Sequence, residues 1–221
     1  FQTSVSHVSK YVDVMDGPTY KAFVQSQIDA GVIDTADAMG TMGDANTNWQ
    51  KEIYQIAPSY EGNISLAGRA TMGEAGEMPW RYSVGFMAQD GVLKTDHMNR
   101  ATWSVNLTPS FLDDHLTVNV NAKGVYTSNS WANQSAIGAA NRMNPTLPVY
   151  DEKGINGYYT WYSPNGSVNT MATMNPVALL YDKTDKSEAN RIIGNVQLDY
   201  KIHGFEDLRV NVNLGIDYGS S

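Results

Sequence analysis

The sequence of 221 residues contains no cysteine and no long apolar run. Without cysteine, the chain has no disulfide framework, no thiolate nucleophile and no cysteine-based zinc site. Its mean hydropathy is −0.37, and no apolar stretch approaches the roughly 18 residues that a membrane-spanning helix needs. Any membrane-spanning structure in this chain must therefore be built from strands.

Positive charge is also scarce. The chain has 15 lysines and arginines against 23 aspartates and glutamates, which gives a formal net charge of −8. Nucleic-acid binding depends on clustered Lys and Arg side chains that contact phosphates. We therefore expect no nucleic-acid partner.

Motifs of catalysis are missing as well. The sequence has no Gly-x-Ser-x-Gly, Walker or dinucleotide-binding glycine pattern. The acidic pairs fall in predicted hairpin turns, where turn geometry favours aspartate, and the histidines lie in separate elements without the i, i+4 spacing of a metal-binding helix. We expect no enzyme, no cofactor and no histidine-metal site. The residues concerned are Asp113, Asp114, Glu206, Asp207, His7, His97, His115 and His203.

One acidic motif has the spacing of a calcium-binding loop. Asp44, Asn46 and Asn48 match the first positions of an EF-hand. Trp49 stands where that loop requires glycine, and Gln55 stands where it requires the bidentate glutamate. We therefore interpret the motif as a helix cap and predict no metal.

What the sequence does contain is a repeated alternation of apolar and polar residues. From 192 to 218 the even positions are apolar on both sides of a turn at 203–207, and the odd positions carry mostly Asn, Gln, Asp, Lys and Arg. A period of two with one apolar face and one polar face predicts antiparallel strands. The same pattern returns at 101–111 and at 116–122.

The length and polarity of these strands favour a membrane barrel. They run for about 9 to 12 residues, roughly twice the common length in globular proteins and enough to cross a bilayer at a tilt. The polar face suits a water-filled or plugged lumen, and aromatic side chains near strand ends suit interfacial girdles. Periodicity alone leaves a large soluble sheet open as the alternative. The aromatic residues assigned to strand ends are Trp103, Phe111, Tyr126, Tyr200 and Tyr218.

We predict an all-β chain with short helices in its long loops. Pro18 begins a helix that ends at Gly31, and the spacing of Thr47 and Gln50 predicts a capping box for a second helix, which Pro58 ends. Short turns of membrane barrels face the periplasm and long loops face outside, so the connections at about 15–59 and 128–188 are predicted to be extracellular. The strands are predicted at about 1–14, 60–72, 80–94, 100–112, 116–127, 190–202 and 208–218, with residues 73–77 forming one of the short turns.

The loop predicted at 128–188 is rich in aromatic residues. Disordered segments are typically poor in aromatics, so we expect an ordered binding or lid loop. Flat rings stack on sugar faces and supply contact area at low entropic cost, whereas the alternative is that they pack against their own loop. The candidate ligand-binding residues are Trp131, Tyr158, Tyr159, Trp161 and Tyr162.

Both ends of the chain lie close to strand-like sequence. The first residues lack the basic region and apolar stretch of a signal peptide, and the chain stops at 218–221 directly after a strand. Since closed barrels avoid unpaired edges, we expect this chain to be a segment whose neighbouring strands lie elsewhere in a larger protein.

Several stretches match one family in order and cover most of the chain. They are residues 46–50, 82–86 with 89–94, 105–116 with 118–124, and 144–151 with 175–178. These stretches resemble the SusC/RagA family of TonB-dependent outer-membrane transporters of Bacteroidetes.

The resemblance implies that the chain forms the first strands after the plug in an outer-membrane barrel of about 22 strands. It also implies import of an oligosaccharide or peptide, with a SusD-like surface lipoprotein as partner, energy from the TonB complex, and contact with outer-membrane lipid. These 221 residues contain neither a plug nor a TonB box. Two other hypotheses stay open: a soluble secreted β-sandwich that binds carbohydrate through its aromatic loop, and a passive porin.

Overall fold

The computed structural model describes residues 1–35, 38, 40–73 and 76–221. For Glu206 it describes the backbone alone. Residues 74 and 75 of the turn predicted at 73–77 lie outside this set. The strands are β1 (Gln2–Ser6), β2 (Ala57–Thr71), β3 (Glu77–Asp90), β4 (His97–Leu107), β5 (Ser110–Phe111), β6 (Leu116–Ser130), β7 (Lys186–Ile202) and β8 (Phe205–Ser220). The helices are α1 (Gly17–Asp29), α2 (Trp49–Ile53), α3 (Ser135–Ala140) and α4 (Pro176–Tyr181), with a 3₁₀ turn at Ile155–Gly157.

The strands form one antiparallel sheet in the order β1-β2-β3-β4-β6-β7-β8, with β5 paired to β6. This confirms the predicted all-β antiparallel fold. The long strands extend beyond most of their predicted ends, because their outermost residues still pair across the sheet, as Asn190 does with Ser220. No helix among the described residues is long and apolar enough to span a membrane.

Three predicted strands differ from the structure. The strand predicted at 80–94 ends at Asp90, because residues 91–96 form a turn in which the Gly91 N–H donates to the Asp96 carbonyl oxygen at 2.7 Å. The strand predicted at 1–14 covers only Gln2–Ser6, because the backbone of Val12 pairs with a side chain, the amide of Gln50, instead of with a strand. The strand predicted at 100–112 is interrupted between Leu107 and Ser110. Pro109 has no N–H to donate at that point.

Cross-strand register places the apolar residues on one face of the sheet. Leu66 lies opposite Tyr82, and the same row continues through Val105, Ala122 and Gly194 to Ile216. Within this row Leu66 is 62% exposed and Ile216 is 67% exposed. The adjacent row, on the other face, runs from Ser65 through Ser83 and Ser104 to Lys123.

The height of the apolar face matches a bilayer. On β6 the apolar face extends from Leu116 to Tyr126, which is roughly 33 Å along a strand at about 3.3 Å per residue. A tilt of about 40° reduces this length to roughly 25 Å, the height of the apolar band of outer-membrane barrels. Among the described residues no second sheet covers this face.

Trp103 lies in the middle of β4, not near the strand end where the sequence pattern placed it. It is paired with Gly124, and a Cβ atom built on Gly124 would lie 2.1 Å from the indole nitrogen of Trp103. Trp80 lies over Gly68 in the same manner, 2.6 Å from such a Cβ position. Each indole therefore occupies the space that a side chain on the neighbouring strand would need.

A side chain at Gly124 is expected to displace this indole. In the complete protein, Gly124→Val should lower the free energy of unfolding by about 1–3 kcal/mol through overpacking, measured by urea unfolding in lipid vesicles. Gly215→Val is the control, because its Cβ would meet no atom closer than 3.7 Å. Adding Trp103→Ala to Gly124→Val should recover part of the loss. Equal losses for the two glycine variants would contradict this account.

The buried core lies in the loops and not in the sheet. Apart from Ala57, the buried apolar side chains among the described residues belong to connecting segments. Most of them form one cluster, drawn from three connections at 7–56, 91–96 and 131–185. We call these three connections, packed on that cluster, the loop cap. The buried members of the cluster are Trp49, Ile53, Leu93, Ala132, Ala136, Ala140, Met143, Leu147, Val177 and Leu180.

The helices of the loop cap follow local capping signals in part. In α1 the side chain of Asp16 accepts a hydrogen bond from the Thr19 N–H, and Gly31 follows the helix with a φ of +71°. The capping box predicted at Thr47 and Gln50 is wrong, because Asn48 caps α2 through Lys51 N–H. That helix ends at Ile53, before Pro58, which lies in β2.

Candidate functional site

Two long loops are joined side by side in the loop cap. The backbone N–H groups of Ala45 and Thr47 donate to the carbonyl oxygens of Thr146 and Pro145, at 3.0 and 2.8 Å. The Thr47 hydroxyl donates to the Leu147 carbonyl oxygen at 2.6 Å. Segments about a hundred residues apart in sequence therefore form one unit.

Thr146 and Asn144 complete this junction. The fully buried Thr146 hydroxyl accepts from the Gly43 N–H at 3.1 Å and donates to the Asn144 carboxamide oxygen at 2.8 Å. The Trp49 indole N–H donates to the Asn144 carbonyl oxygen at 2.9 Å. Satisfied polar groups of this kind fix one arrangement of the two loops, since an unpaired buried group is costly.

Two cavities open along this junction. The smaller, of about 380 Å³, lies between residues 13–16 and 140–145. The larger, of about 830 Å³, is formed mainly by residues 159–164 and 142–144. Both are lined by Tyr20, Arg142, Met143 and Asn144, so the two cavities adjoin. We call the pair the cap groove.

Three of the five predicted ligand-binding residues line the larger part of the cap groove: Tyr159, Trp161 and Tyr162. Tyr158 instead lines a third cavity of about 110 Å³, which Tyr159 and Trp161 also border and which adjoins the larger part of the groove. The ring of Tyr158 lies 5.6 Å from that of Tyr150. Trp131 lines none of these cavities and is 53% exposed. The structure thus places Tyr159 and Trp161 beside Tyr158 in one cavity and beside Tyr162 in the other, and Trp131 lines neither.

The aromatic rings of the groove are held by their neighbours. Tyr159 and Trp161 meet edge to face, with ring centroids 5.6 Å apart, and the Tyr162 hydroxyl donates to the Lys153 carbonyl oxygen at 3.1 Å. Burial raises the pKa of Tyr159, and the nearby Asp151 carboxylate raises it further. This hydroxyl therefore stays protonated at neutral pH and is available as a donor.

Trp161 has one unsatisfied polar atom. Its indole nitrogen is buried and has no hydrogen-bond partner, alone among the side-chain polar atoms of the described residues. A buried N–H without an acceptor is unfavourable in a native protein and calls for a specific explanation.

Sequence analysis missed three groove residues. Tyr20 lies on α1, Arg142 follows α3, and Asp151 lies further along the 131–185 connection. Each belongs to a different local segment, and only the loop junction brings them together. The sequence carries no local signal for this proximity.

The residues considered as metal ligands have other contacts in the structure. Asp44 pairs with Lys21 at 2.9 Å, the Asn46 carboxamide oxygen accepts from the Gly17 N–H, and Asn48 caps α2. These three side chains therefore stabilise the loop cap through an ion pair, a hydrogen bond and a helix cap. His115 and His203, predicted in separate elements, stack with ring centroids 3.9 Å apart because β6 and β7 are neighbours. Among the described residues no three potential ligands converge.

Long antiparallel strands in one sheet, an exposed apolar face and loops of alternating length together define a partial β-barrel. The chain is 35% identical over 230 aligned positions to the TonB-dependent receptor SusC of Bacteroides thetaiotaomicron, covering 97% of this chain and 22% of that receptor. It is 26% identical over 214 positions to the TonB-dependent receptor P3 of Formosa agariphila, covering 92% of this chain and 19% of that receptor.

No family model matches the chain. The two relatives nevertheless agree on one class, and the alignments extend over nearly all of the chain. The chain therefore belongs to the SusC-like TonB-dependent receptors. It spans about a fifth of the length of the curated relatives it matches.

Proposed function

We propose that this chain is part of an outer-membrane active importer of a nutrient, an oligosaccharide or a peptide. The observation that carries the proposal is the sheet with two exposed faces, one apolar over the height of a bilayer and one rich in Asn, Ser, Lys and Asp. Lipid on one side and an aqueous or plugged lumen on the other suit these two faces. The similarity to SusC supports the same function.

The partners follow from the same kinship. A SusD-like lipoprotein would cover the side of the long loops, and the TonB complex would act through parts of the receptor outside this chain. Import of this kind involves no covalent chemistry in this segment. Movement of a plug opens the path, and the loops and upper lumen hold the ligand.

The ligand contacts in this segment are assigned to Tyr159, Trp161 and Tyr162. These three rings share the larger part of the cap groove. Trp131 and Tyr158 lie outside that groove, so the proposal does not include them. Trp131 is exposed on the loop surface, and the ring of Tyr158 packs beside that of Tyr150.

The observed sheet disfavours the soluble sandwich. A sandwich buries its apolar faces between two sheets, whereas here Ile64, Val84 and Leu214 are exposed on one uncovered face of the described sheet. A passive porin would need neither plug nor TonB coupling. The relatives, which are TonB-dependent receptors by name, favour the active importer.

The test uses the complete protein that contains this chain. Cell envelopes are fractionated, and the gel mobility of the detergent-extracted protein is compared before and after boiling. We expect an outer-membrane band whose mobility changes on heating, because a closed barrel resists detergent until it is boiled. A soluble protein with unchanged mobility would refute the importer and support the secreted binding module.

A further inference from the structure

We propose that Met174 is a site of reversible oxidation, and that its sulfoxide oxygen accepts a hydrogen bond from the Trp161 indole N–H. This modification is independent of the import function. Met174 lies two residues before α4 in the connection at 131–185, and it is 62% exposed. A small oxidant in the surrounding water can therefore reach its side chain.

The donor of this hydrogen bond is already in place. The buried Trp161 Nε1–H has no acceptor among the described residues, although a buried indole N–H normally has one. Met174 and Trp161 line the same cavity of about 110 Å³, and a cavity of this size brings the side chains of its walls close together. The sulfur of a reduced methionine is only a weak acceptor, whereas the sulfoxide is polar and accepts through oxygen. Oxidation thus supplies the acceptor that the indole lacks.

The reaction uses a peroxide as its co-reactant. A lone pair of the Met174 sulfur attacks one oxygen of hydrogen peroxide, so that a sulfur–oxygen bond forms and the oxygen–oxygen bond breaks. The other oxygen leaves as hydroxide, takes the proton from the new S–OH group and becomes water. The sulfur is oxidised and the peroxide is reduced. Methionine sulfoxide reductases reverse the modification.

Both partners of the proposed hydrogen bond lie in fixed surroundings. Asn175, the residue after Met174, is 5% exposed, and its carboxamide donates to the Val149 carbonyl oxygen at 2.8 Å and caps α4. Trp161 is in edge-to-face contact with Tyr159. A contact between groups that are already positioned costs little additional ordering. We therefore expect oxidation to stabilise this part of the loop, although methionine sulfoxide usually disrupts packing.

Met171 is the matched control in the same connection. It is 95% exposed, but it does not line the cavity that Met174 and Trp161 share. Its sulfur should therefore oxidise at least as readily as that of Met174. Its sulfoxide oxygen lies outside the cavity and should leave the stability of the loop unchanged. The two methionines thus separate chemical reactivity from the proposed hydrogen bond.

The test uses the complete, detergent-solubilised protein, treated with hydrogen peroxide until peptide mass spectrometry finds the sulfoxide at Met174. Backbone hydrogen exchange of residues 158–162 is compared between the oxidised and the reduced form of each variant. In the wild-type protein, oxidation should slow this exchange about fivefold, the effect of one hydrogen bond. Met174→Leu removes the sulfur at nearly constant volume and Trp161→Phe removes the donor, so each should abolish the slowing. Met171→Leu should retain it.

The opposite results are equally clear. Exchange in the wild-type protein that stays unchanged or becomes faster on oxidation would overturn the proposal. So would slowing that persists in Trp161→Phe, or a Met174 that stays reduced while Met171 is fully oxidised. Treatment of the oxidised wild-type protein with both sulfoxide reductases should restore the original exchange rate. Slowing that remains after complete reduction would show that another change in the protein causes it.

Discussion

Replacement of Trp49 by alanine is expected to loosen the loop cap by about 3–5 kcal/mol, the usual loss for truncating a buried tryptophan. Trp49 is 2% exposed, and its indole N–H holds the Asn144 carbonyl oxygen of the other long loop. The variant therefore removes both packing and the hydrogen bond that joins the loops. Hydrogen exchange on the complete protein in detergent should show residues 45–54 and 136–147 exchanging at least about a hundredfold faster.

The matched control is Trp131→Ala, which removes the same side chain from an exposed position of the same loop cap. Its expected effect on exchange is within about 0.5 kcal/mol, as for surface substitutions in general. Amides in the middle of β6 and β7 should be unchanged in both variants, because the sheet does not depend on the loop core. Uniform acceleration through the sheet in Trp49→Ala would show that the two parts unfold together and would contradict the separation of cores described above.

An arginine at Val196 is expected to destabilise the barrel by about 2–4 kcal/mol, the penalty for a cation at the bilayer midplane. Val196 lies near the middle of β7, opposite Val120 and Leu214 on the apolar face. The penalty arises because the charged group loses hydration in the hydrocarbon region. Urea unfolding of the complete protein in lipid vesicles, followed by heat-dependent gel mobility, measures it.

Gln197→Arg provides the control for this prediction. Gln197 is the next residue along β7 and lies opposite Asn119 and Asn213 on the polar face. A cation there remains in an aqueous or plugged lumen, so its expected effect is small. If both arginine variants lose the same stability, the apolar face does not meet lipid, and the assignment of the two faces is wrong.

The long strands were predictable because alternation is a local property. From Asn195 to Lys201 the polarity of each residue indicates which face of the sheet it occupies, and the register of β7 with β8 agrees with that assignment. The five-residue length of β1 was not predictable, since the apolar residues at 8–14 continue to alternate. Only the distant amide of Gln50 shows that this backbone pairs with a side chain.

The candidate site was predictable only in part. The aromatic content of one loop indicated Tyr159, Trp161 and Tyr162, but Tyr20 and Arg142 join them through hydrogen bonds between segments about a hundred residues apart. Helices α3 and α4 have six residues each, too short for a periodic pattern to identify them. Tertiary packing on Trp49 and Ile53 stabilises these helices. No local sequence pattern predicts that packing.

The joined loops also limit how such receptors can be recombined. Since 43–47 and 144–147 complete each other's hydrogen bonds, a graft of either loop alone onto a relative's barrel would leave half of the junction without its counterpart. A functional chimera must exchange residues 7–56 and 131–185 as a pair. We therefore expect substitutions at the junction in one loop to require compensating changes in the other, although five strands separate the two loops in the chain.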